Sequence, residues 1–296
     1  MSKKTVLLFP GQGSQYLNMH LKLSEKSQEF VRKILEDLNL TNILKLMSTS
    51  EESLLPTNVS QVAILVTSLG FLKDLSDRGF NFEASAGHSL GEYGALVAAD
   101  VLSFKDALRC VYIRGHLMGE CAARYGGSMV ALLGFEREMI EHICKEASRF
   151  GICVVANENS TQQIVISGEN DAIGWVLENY KKFNIKKAIK LKVEGAFHSP
   201  LMEDAAKEFK KFLESLEFKD FKVPVYKNID GLPYKDTKCI PDILSKQIIS
   251  PVKWIDTIEN IIRDGYENCV EVGPKNILTT MLRRWTKLEC SALDGE

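Results

Sequence analysis

At 296 residues, 45 % of them apolar and 26 % charged, the chain can bury one large core or two unequal ones. A formal net charge of −2 provides no basic field, which argues against nucleic acid and anionic membrane as partners. No apolar run is read as approaching the roughly 20 residues of a membrane span, and the stretch before Pro10 and Gly11 is too short for a signal peptide, so a cytoplasmic protein is expected.

Thr5 to Phe9 reads as a compact strand running into the glycine loop Pro10-Gly11-Gln12-Gly13. The loop lacks the Gly-Lys-Ser/Thr ending of a P-loop and the three spaced glycines of a dinucleotide fingerprint, so backbone N–H groups pointing into a site are its better use. Val59 to Leu75 and Ser103 to Arg124 are predicted as long amphipathic helices, the second opened by Ser103 and Asp106 in capping-box-like spacing. Between them, a short strand over Phe82 to Ala86 leads to a helix over Leu90 to Ala99.

From Gly126 the pattern shortens. Strands at 128–133, 152–157, 163–167 and 187–191 and helices at 136–149 and 171–183 give the order βαββαβ, a ferredoxin-like unit. Glycines at 126, 127 and 195 bracket it, as expected for an insertion whose ends lie close together. The resulting organisation is α/β: a large domain with a parallel sheet over residues 1–125 and 195–296, interrupted by a ferredoxin-like insertion at 126–194. After the insertion a helix over Pro200 to Leu216, a strand over Val223 to Asn228, a helix over Pro251 to Arg263, a strand over Cys269 to Val272 and a helix after Pro274 are expected. Seven scattered cysteines without a CxxC (Cys110, Cys121, Cys144, Cys153, Cys239, Cys269 and Cys290) read as reduced residues, mostly of the core, and no metal site is expected.

The chemistry is concentrated in Gly87-His88-Ser89-Leu90-Gly91, the G-x-S-x-G pattern of a serine held on a sharp strand-to-helix turn. Ser89 at a helix N-terminus has free N–H groups nearby to hold an oxyanion, which points to a covalent acyl enzyme. A serine hydroxyl needs a base. Of five histidines, His20 and His142 sit among charged neighbours, His116 falls within a helix, and His88 points away from its neighbour in a normal turn. His198 stands apart, in a loop leaving the insertion. Asp100, Asp106 and Asp171 occupy helix ends or the insertion, so a dyad oriented by a carbonyl or amide is a simpler reading than a triad. Arg114 shares an apolar helix face with Ala107, Val111 and Met118, and a buried cation there requires an anion. A structural carboxylate and a substrate carboxylate both satisfy that requirement, whereas Arg109 reads as a surface residue.

FPGQGSQ, GHSLGEY, YIRGHLM, NSTQQIVISG, GAFHSPLM, QIISPVKW and EVGP, in this order along the whole chain, resemble the malonyl-CoA:acyl carrier protein transacylases. The resemblance implies a hydrolase-like large domain carrying a ferredoxin-like insertion, a monomer, and no cofactor beyond the substrate malonyl-CoA. It implies Ser89 as nucleophile, His198 as base, Gln12 and Leu90 as oxyanion-hole donors, Arg114 as the site of the malonyl carboxylate, and Gln247 beside His198 and the substrate. The implied reaction moves malonyl from coenzyme A to the phosphopantetheine thiol of acyl carrier protein. A trans-acting enzyme loading polyketide synthase carriers shares every motif, and an editing hydrolase is a third alternative that lacks need of Arg114. Asp100 and Lys275 stand where the family commonly has glycine. The basic run Lys181, Lys182, Lys186, Lys187, Lys190 and Lys192 is read either as a docking surface for an acidic carrier or as a solvated face.

Overall fold

The computed structural model describes residues 3–294. Strand β1 (Thr5–Phe9) is followed by helices α1 (Glu25–Asp37), α2 (Asn42–Met47) and α3 (Thr57–Asp77), then β2 (Ala84–Gly87), α4 (Gly91–Ala98) and α5 (Phe104–Tyr125). Next come β3 (Ser128–Leu133), α6 (Arg137–Ala147), β4 (Cys153–Ser160), β5 (Gln163–Gly168), α7 (Asn170–Asn179) and β6 (Lys187–Lys190). The chain continues with α8 (Glu203–Leu213), β7 (Val225–Tyr226), α9 (Ile240–Gln247), α10 (Trp254–Arg263), β8 (Asn268–Glu271), α11 (Ile277–Leu282) and β9 (Glu289–Ala292).

The larger sheet is parallel throughout, in the order β7-β2-β1-β8-β9. Its central strand β1 is apolar apart from Thr5 because both faces are covered. Leu7 and Phe9 face the core built from α1 to α5 and α8, while Val6 and Leu8 face Trp254, Ile258 and Ile261 of α10 and Leu278 and Leu282 of α11. A period of two thus divides one strand between two cores.

Helix α3 departs from the expected amphipathic character. It is buried on nearly all sides, packed by α1, α2, α4 and α5, which explains a sequence apolar all round. By length and composition it could also cross a membrane, contrary to the sequence expectation, but 78 % of that stretch is enclosed by the rest of the protein. Helix α5 starts as its capping signal indicates: Ser103 Oγ accepts from the Asp106 N–H at 3.0 Å and donates to the Asp106 carboxylate at 2.7 Å.

The second sheet has the order β4-β5-β3-β6 with every pair antiparallel, the strand order of a ferredoxin-like unit. Val130 and Leu132 of β3 pack under α6 and α7, whereas Met129 and Ala131, on the opposite face, join the core of the larger sheet. A backbone splice reinforces this junction: Val252 N donates to Ala156 O at 2.8 Å, and Glu158 N donates to Val252 O at 2.9 Å. That splice is why α10 begins at Trp254 and not at Pro251. The strand expected over Val223 to Asn228 is paired for two residues only, next to Pro224 at the edge of the sheet.

The cysteine expectation is also corrected. Cys269 and Cys290 lie opposite one another on β8 and β9, with Cα atoms 4.7 Å apart, and form a disulfide; Cys239 is partly exposed, and the other four are buried and free. Asp100 and Lys275 both adopt left-handed backbone, with φ of +60° and +63°, the conformation that glycine supplies without strain. Asp100 is tied down there by Lys222 at 2.7 Å.

Because Leu65 is fully buried in the centre of α3, Leu65→Ala is expected to destabilise the protein by about 2–5 kcal/mol. A urea midpoint equal to that of the parent protein would show that α3 is not a core helix.

Candidate active site

Parallel pairing of β2 with β1 delivers the chain to Ser89, whose φ of +52° places it in the left-handed region between β2 and α4. The flanking glycines are required by space. A Cβ at Gly87 would lie 2.0 Å from the Gly91 carbonyl carbon, and one at Gly91 would lie 2.1 Å from Phe9 O of the neighbouring strand. Asn228, just beyond β7, clamps the turn from the other side: Ser89 N donates to its Oδ1 at 2.6 Å, and its Nδ2 donates to Gly87 O at 2.7 Å. The strained turn is therefore over-determined by backbone packing and one amide.

His198 also has a left-handed φ, +57°, in the loop between β6 and α8. Ser199 fixes that loop by donating to Ala196 O at 2.6 Å. The imidazole Nε2 lies 2.9 Å from Ser89 Oγ, and Nδ1 lies 2.8 Å from the backbone oxygen of Gln247. A carbonyl only accepts, so Nδ1 carries the proton and Nε2 is the free acceptor facing the serine hydroxyl. Burial, followed by the nearby charge of Arg114, pushes the His198 pKa down to about 3, which keeps the ring neutral. No other histidine contacts the Ser89 hydroxyl among the described residues, although His88 also lines the cavity described below. His116 and His142 are exposed, His20 is on a short helical turn near the N-terminus, and His88 turns to Asn159 Oδ1 at 2.8 Å and to the edge of Trp254.

Arg114 is 1 % exposed. Its Nη1 donates to Gln61 Oε1 at 2.8 Å, and its Nη2 donates to Gln247 Oε1 and to Ser89 Oγ, both at 3.0 Å. None of these partners is anionic, and Nε has no partner among the described residues. The structural carboxylate that one reading of the sequence required is absent from its direct contacts. Burial lowers the pKa of the guanidinium, but the residue remains a cation in search of an anion. Arg109, by contrast, is exposed and pairs with Asp106.

Sequence reasoning missed three residues that build this site. Gln61 is a lone amide in the apolar run of α3, a signal of a buried partner that was available. Asn228 and Glu92 carried no such signal. Glu92 is fully buried; its carboxylate accepts from Gln247 Nε2 at 2.7 Å, from Asn228 N at 3.1 Å and from the Tyr234 hydroxyl.

Gln12, Ser89, Leu90, Arg114 and His198 line one small cavity of about 80 Å³, the room of a few water molecules, with Met118, Met129 and Phe197 as apolar wall. Among the described residues the backbone N–H of Gln12 and that of Leu90 donate to nothing, while the side chain of Gln12 is held by Thr57 at 2.9 Å. Gln247 reaches this group from α9, behind His198 and Arg114. A larger cavity, about 830 Å³, lies between the 134–136 and 160–163 turns of the second sheet and α11, and contains none of these residues. The six lysines of the basic run are all exposed, along β6 and the segments flanking it.

An uncommitted buried cation, a strained serine, a neutral imidazole and two idle N–H groups around one small cavity can form and break an acyl ester whose acyl group carries an anion. Comparison with known proteins leads to the same chemistry. The acyl transferase domain family matches residues 6–292. The chain is 36 % identical over 286 residues to the malonyl CoA-acyl carrier protein transacylase of Bacillus subtilis, covering 95 % of this chain and 90 % of that protein, and equally identical to its namesake from Staphylococcus aureus, covering 95 % and 92 %. Among solved structures, an acyl carrier protein S-malonyltransferase from Vibrio cholerae superimposes with a TM-score of 0.91 at 35 % identity, covering 98 % of this chain and 97 % of that one. A malonyl transacylase in complex with a type II polyketide synthase acyl carrier protein superimposes with a TM-score of 0.92 at 33 % identity, covering 98 % and 95 %. The chain belongs to the acyl transferase family, among its malonyl-CoA:acyl carrier protein transacylases.

Proposed function

We propose that the protein transfers malonyl from malonyl-CoA to the phosphopantetheine thiol of an acyl carrier protein through a malonyl ester on Ser89. The observation that carries this reading is Arg114, a buried guanidinium without a carboxylate partner beside the serine hydroxyl. Its fork matches a carboxylate two atoms beyond the reacting carbonyl.

In the first half-reaction His198 Nε2 takes the proton of Ser89 Oγ as the oxygen attacks the thioester carbon. The N–H groups of Gln12 and Leu90 receive the oxyanion, the carbon–sulfur bond breaks, and His198 returns its proton to the departing thiolate of coenzyme A. The carrier thiol reverses these steps. The reaction as written draws on no cofactor, malonyl-CoA being a substrate, and a cytoplasmic location fits its soluble substrates. The charge of Arg114 is one reason for the depressed pKa of His198, so a bound malonyl carboxylate strengthens the base by cancelling that charge. An acyl group without a carboxylate gives no such gain. The same motifs serve carriers of fatty acid and of polyketide synthesis; loading both carrier types side by side separates the two.

Intact mass after mixing with malonyl-CoA is expected to show one added malonyl group, lost in Ser89→Ala. His198→Ala is expected to fold and to load about 10²- to 10⁴-fold more slowly. Normal transfer in either variant would sink the assigned roles.

Arg114→Ala should cut kcat/KM for malonyl-CoA steeply, by about 10²-fold or more given the 3–5 kcal/mol cost of stranding one buried charge. Acetyl-CoA should lose little, and Arg114→Lys should recover only part of the malonyl rate. Parallel losses with both substrates would make Arg114 structural. With the pKa of His198 near 3, the single-turnover acetylation rate at saturating acetyl-CoA should stay flat between about pH 5.5 and 8, where an ordinary histidine would titrate. An inflection near pH 6.5 would contradict the buried, neutral base.

A further inference from the structure

Glu92 is the nearest acid to which Arg114 is linked, and the link is indirect. Arg114 Nη2 donates to Gln247 Oε1 at 3.0 Å, and the Nε2 of the same amide donates to Glu92 Oε2 at 2.7 Å. A single primary amide thus lies between two fully buried charges, its oxygen on the cation and its nitrogen on the anion. That orientation is forced, because the opposite one would set donor against donor at Arg114 and acceptor against acceptor at Glu92. The amide also donates to Ser89 O at 3.1 Å, so the bridge touches the nucleophile's own backbone. No proposed step of the acyl exchange uses Glu92.

We infer that Glu92 is the internal counter-ion of Arg114, a positioning residue that acts on the guanidinium through the Gln247 amide and yields, by taking up a proton, when an acyl carboxylate arrives. The inference rests on the malonyl reading above. The carboxylate of Glu92 partly balances Arg114 across one amide without touching it, while the two Nη groups are held by neutral oxygens alone. A malonyl carboxylate seated on Arg114 puts a second anion into the same buried volume. Two anions around one cation are costly there, and the one farther from the guanidinium gives up its charge.

The surroundings favour that exchange. Burial raises the pKa of Glu92 to about 7, opposed by its bonds to Tyr234, Gln247 and Asn228 N and by the charge of Arg114. Every other titratable group facing it keeps one form across pH 6–8. Tyr234 and Tyr93 are raised well above the usual phenol range and stay neutral, His198 is held near 3 and stays neutral, and Arg114 stays charged. A protonated Glu92 can still accept from Gln247 and Asn228 on one oxygen while its new O–H turns to the oxygen of Tyr234. The proton comes from solvent, and no covalent bond changes. Since a bound carboxylate raises the pKa of Glu92, the complex holds more protons than the free protein. Preference for malonyl therefore rises as pH falls through about 7.

The test is the ratio of kcat/KM for malonyl-CoA to that for acetyl-CoA between pH 6 and 8, in the parent protein and in Glu92→Gln. The ratio cancels the titration of the coenzyme A phosphates and of the Ser89–His198 pair, which both substrates share. In the parent the ratio should rise toward pH 6, by no more than about tenfold per pH unit since one proton is involved. Glu92→Gln can satisfy the same partners, its oxygen accepting from Gln247 and Asn228 and its amide donating to Tyr234. Its ratio should be independent of pH and should exceed the parent's at pH 8 by about fivefold or more, the low end of coupling between linked sites. A flat parent ratio overturns the inference, and so does a Glu92→Gln variant that loses both substrates in parallel with an unchanged ratio, which is what a purely structural carboxylate would do. Should Glu92→Gln fail to fold, the parent's profile decides alone. A parent that forms no malonyl adduct refutes the malonyl reading itself; one that loads malonyl with a flat ratio refutes only the role of Glu92.

Discussion

A guanidinium carried out of water with only neutral partners in direct contact is the constraint around which the rest of the site is arranged. Desolvating Arg114 without an anion costs several kcal/mol, and the fold offsets part of that cost with dipoles from three other segments: Gln61 on α3, Gln247 on α9 and the Ser89 hydroxyl at the start of α4. Each of those dipoles is thereby fixed in direction. Gln247 must turn its amide oxygen to the cation, so its nitrogen faces Glu92. Burial first, and the field of Arg114 second, hold His198 neutral. An ion pair with a carboxylate of the protein would have been cheaper to fold but would have filled the place an acyl carboxylate can take.

A second cost is paid in backbone conformation. Ser89 and His198 both sit at positive φ, which for residues with a Cβ is of order 1–2 kcal/mol each. Their hydroxyl and imidazole nevertheless meet at 2.9 Å from segments 109 residues apart. The strain is held on one side by β1 and Asn228 gripping the turn, and on the other by the Ser199 hydroxyl closing the loop on Ala196 O. The imidazole itself is oriented by a backbone carbonyl on Nδ1 and not by an acidic side chain. The carbonyl that receives His198 Nδ1 belongs to the C-terminal end of α9, where backbone oxygens lack helical partners. A triad acid is unnecessary where a helix end supplies the acceptor.

Much of this was legible in the sequence, because local signals and the fold agree where the chain is regular. β1, β3 and the capping of α5 follow from β-branched runs, alternation and a Ser-x-x-Asp box, and the order of short elements after Gly126 was sufficient to identify the second sheet. The paired G-x-S-x-G glycines also encode their own reason, since a Cβ at either would enter backbone. What was not legible depends on partners distant in sequence. α3 looked one-sided because period alone does not reveal that helices cover its other faces. β9 is an edge strand of alternating small and polar residues, so neither it nor the Cys269–Cys290 bond it makes possible stood out. Asn228 and Glu92 are ordinary polar letters until β7 and α4 are brought together, and only then does an acid between an amide, a tyrosine and a backbone N–H acquire a role.

The second sheet bears on the site through α5. Gly127 and Gly195, at its two ends, are packed so closely that an added Cβ would lie 2.7 Å from Ala196 Cβ in one case and 2.5 Å from Ala122 Cβ in the other. The segment that leads to His198 is therefore laid against the last turns of the helix that carries Arg114. Eight residues separate Arg114 from Ala122 in sequence, about 12 Å along a helix rising 1.5 Å per residue. One helix thus sets both the cation and the approach of His198, and the splice of Val252 to β4 holds the far side of the sheet to the segment just after α9, whose last residue, Gln247, gives His198 its carbonyl. Ser89 and Arg114 thus belong to elements packed on the larger sheet, while the placement of His198 depends as well on how the two sheets are joined.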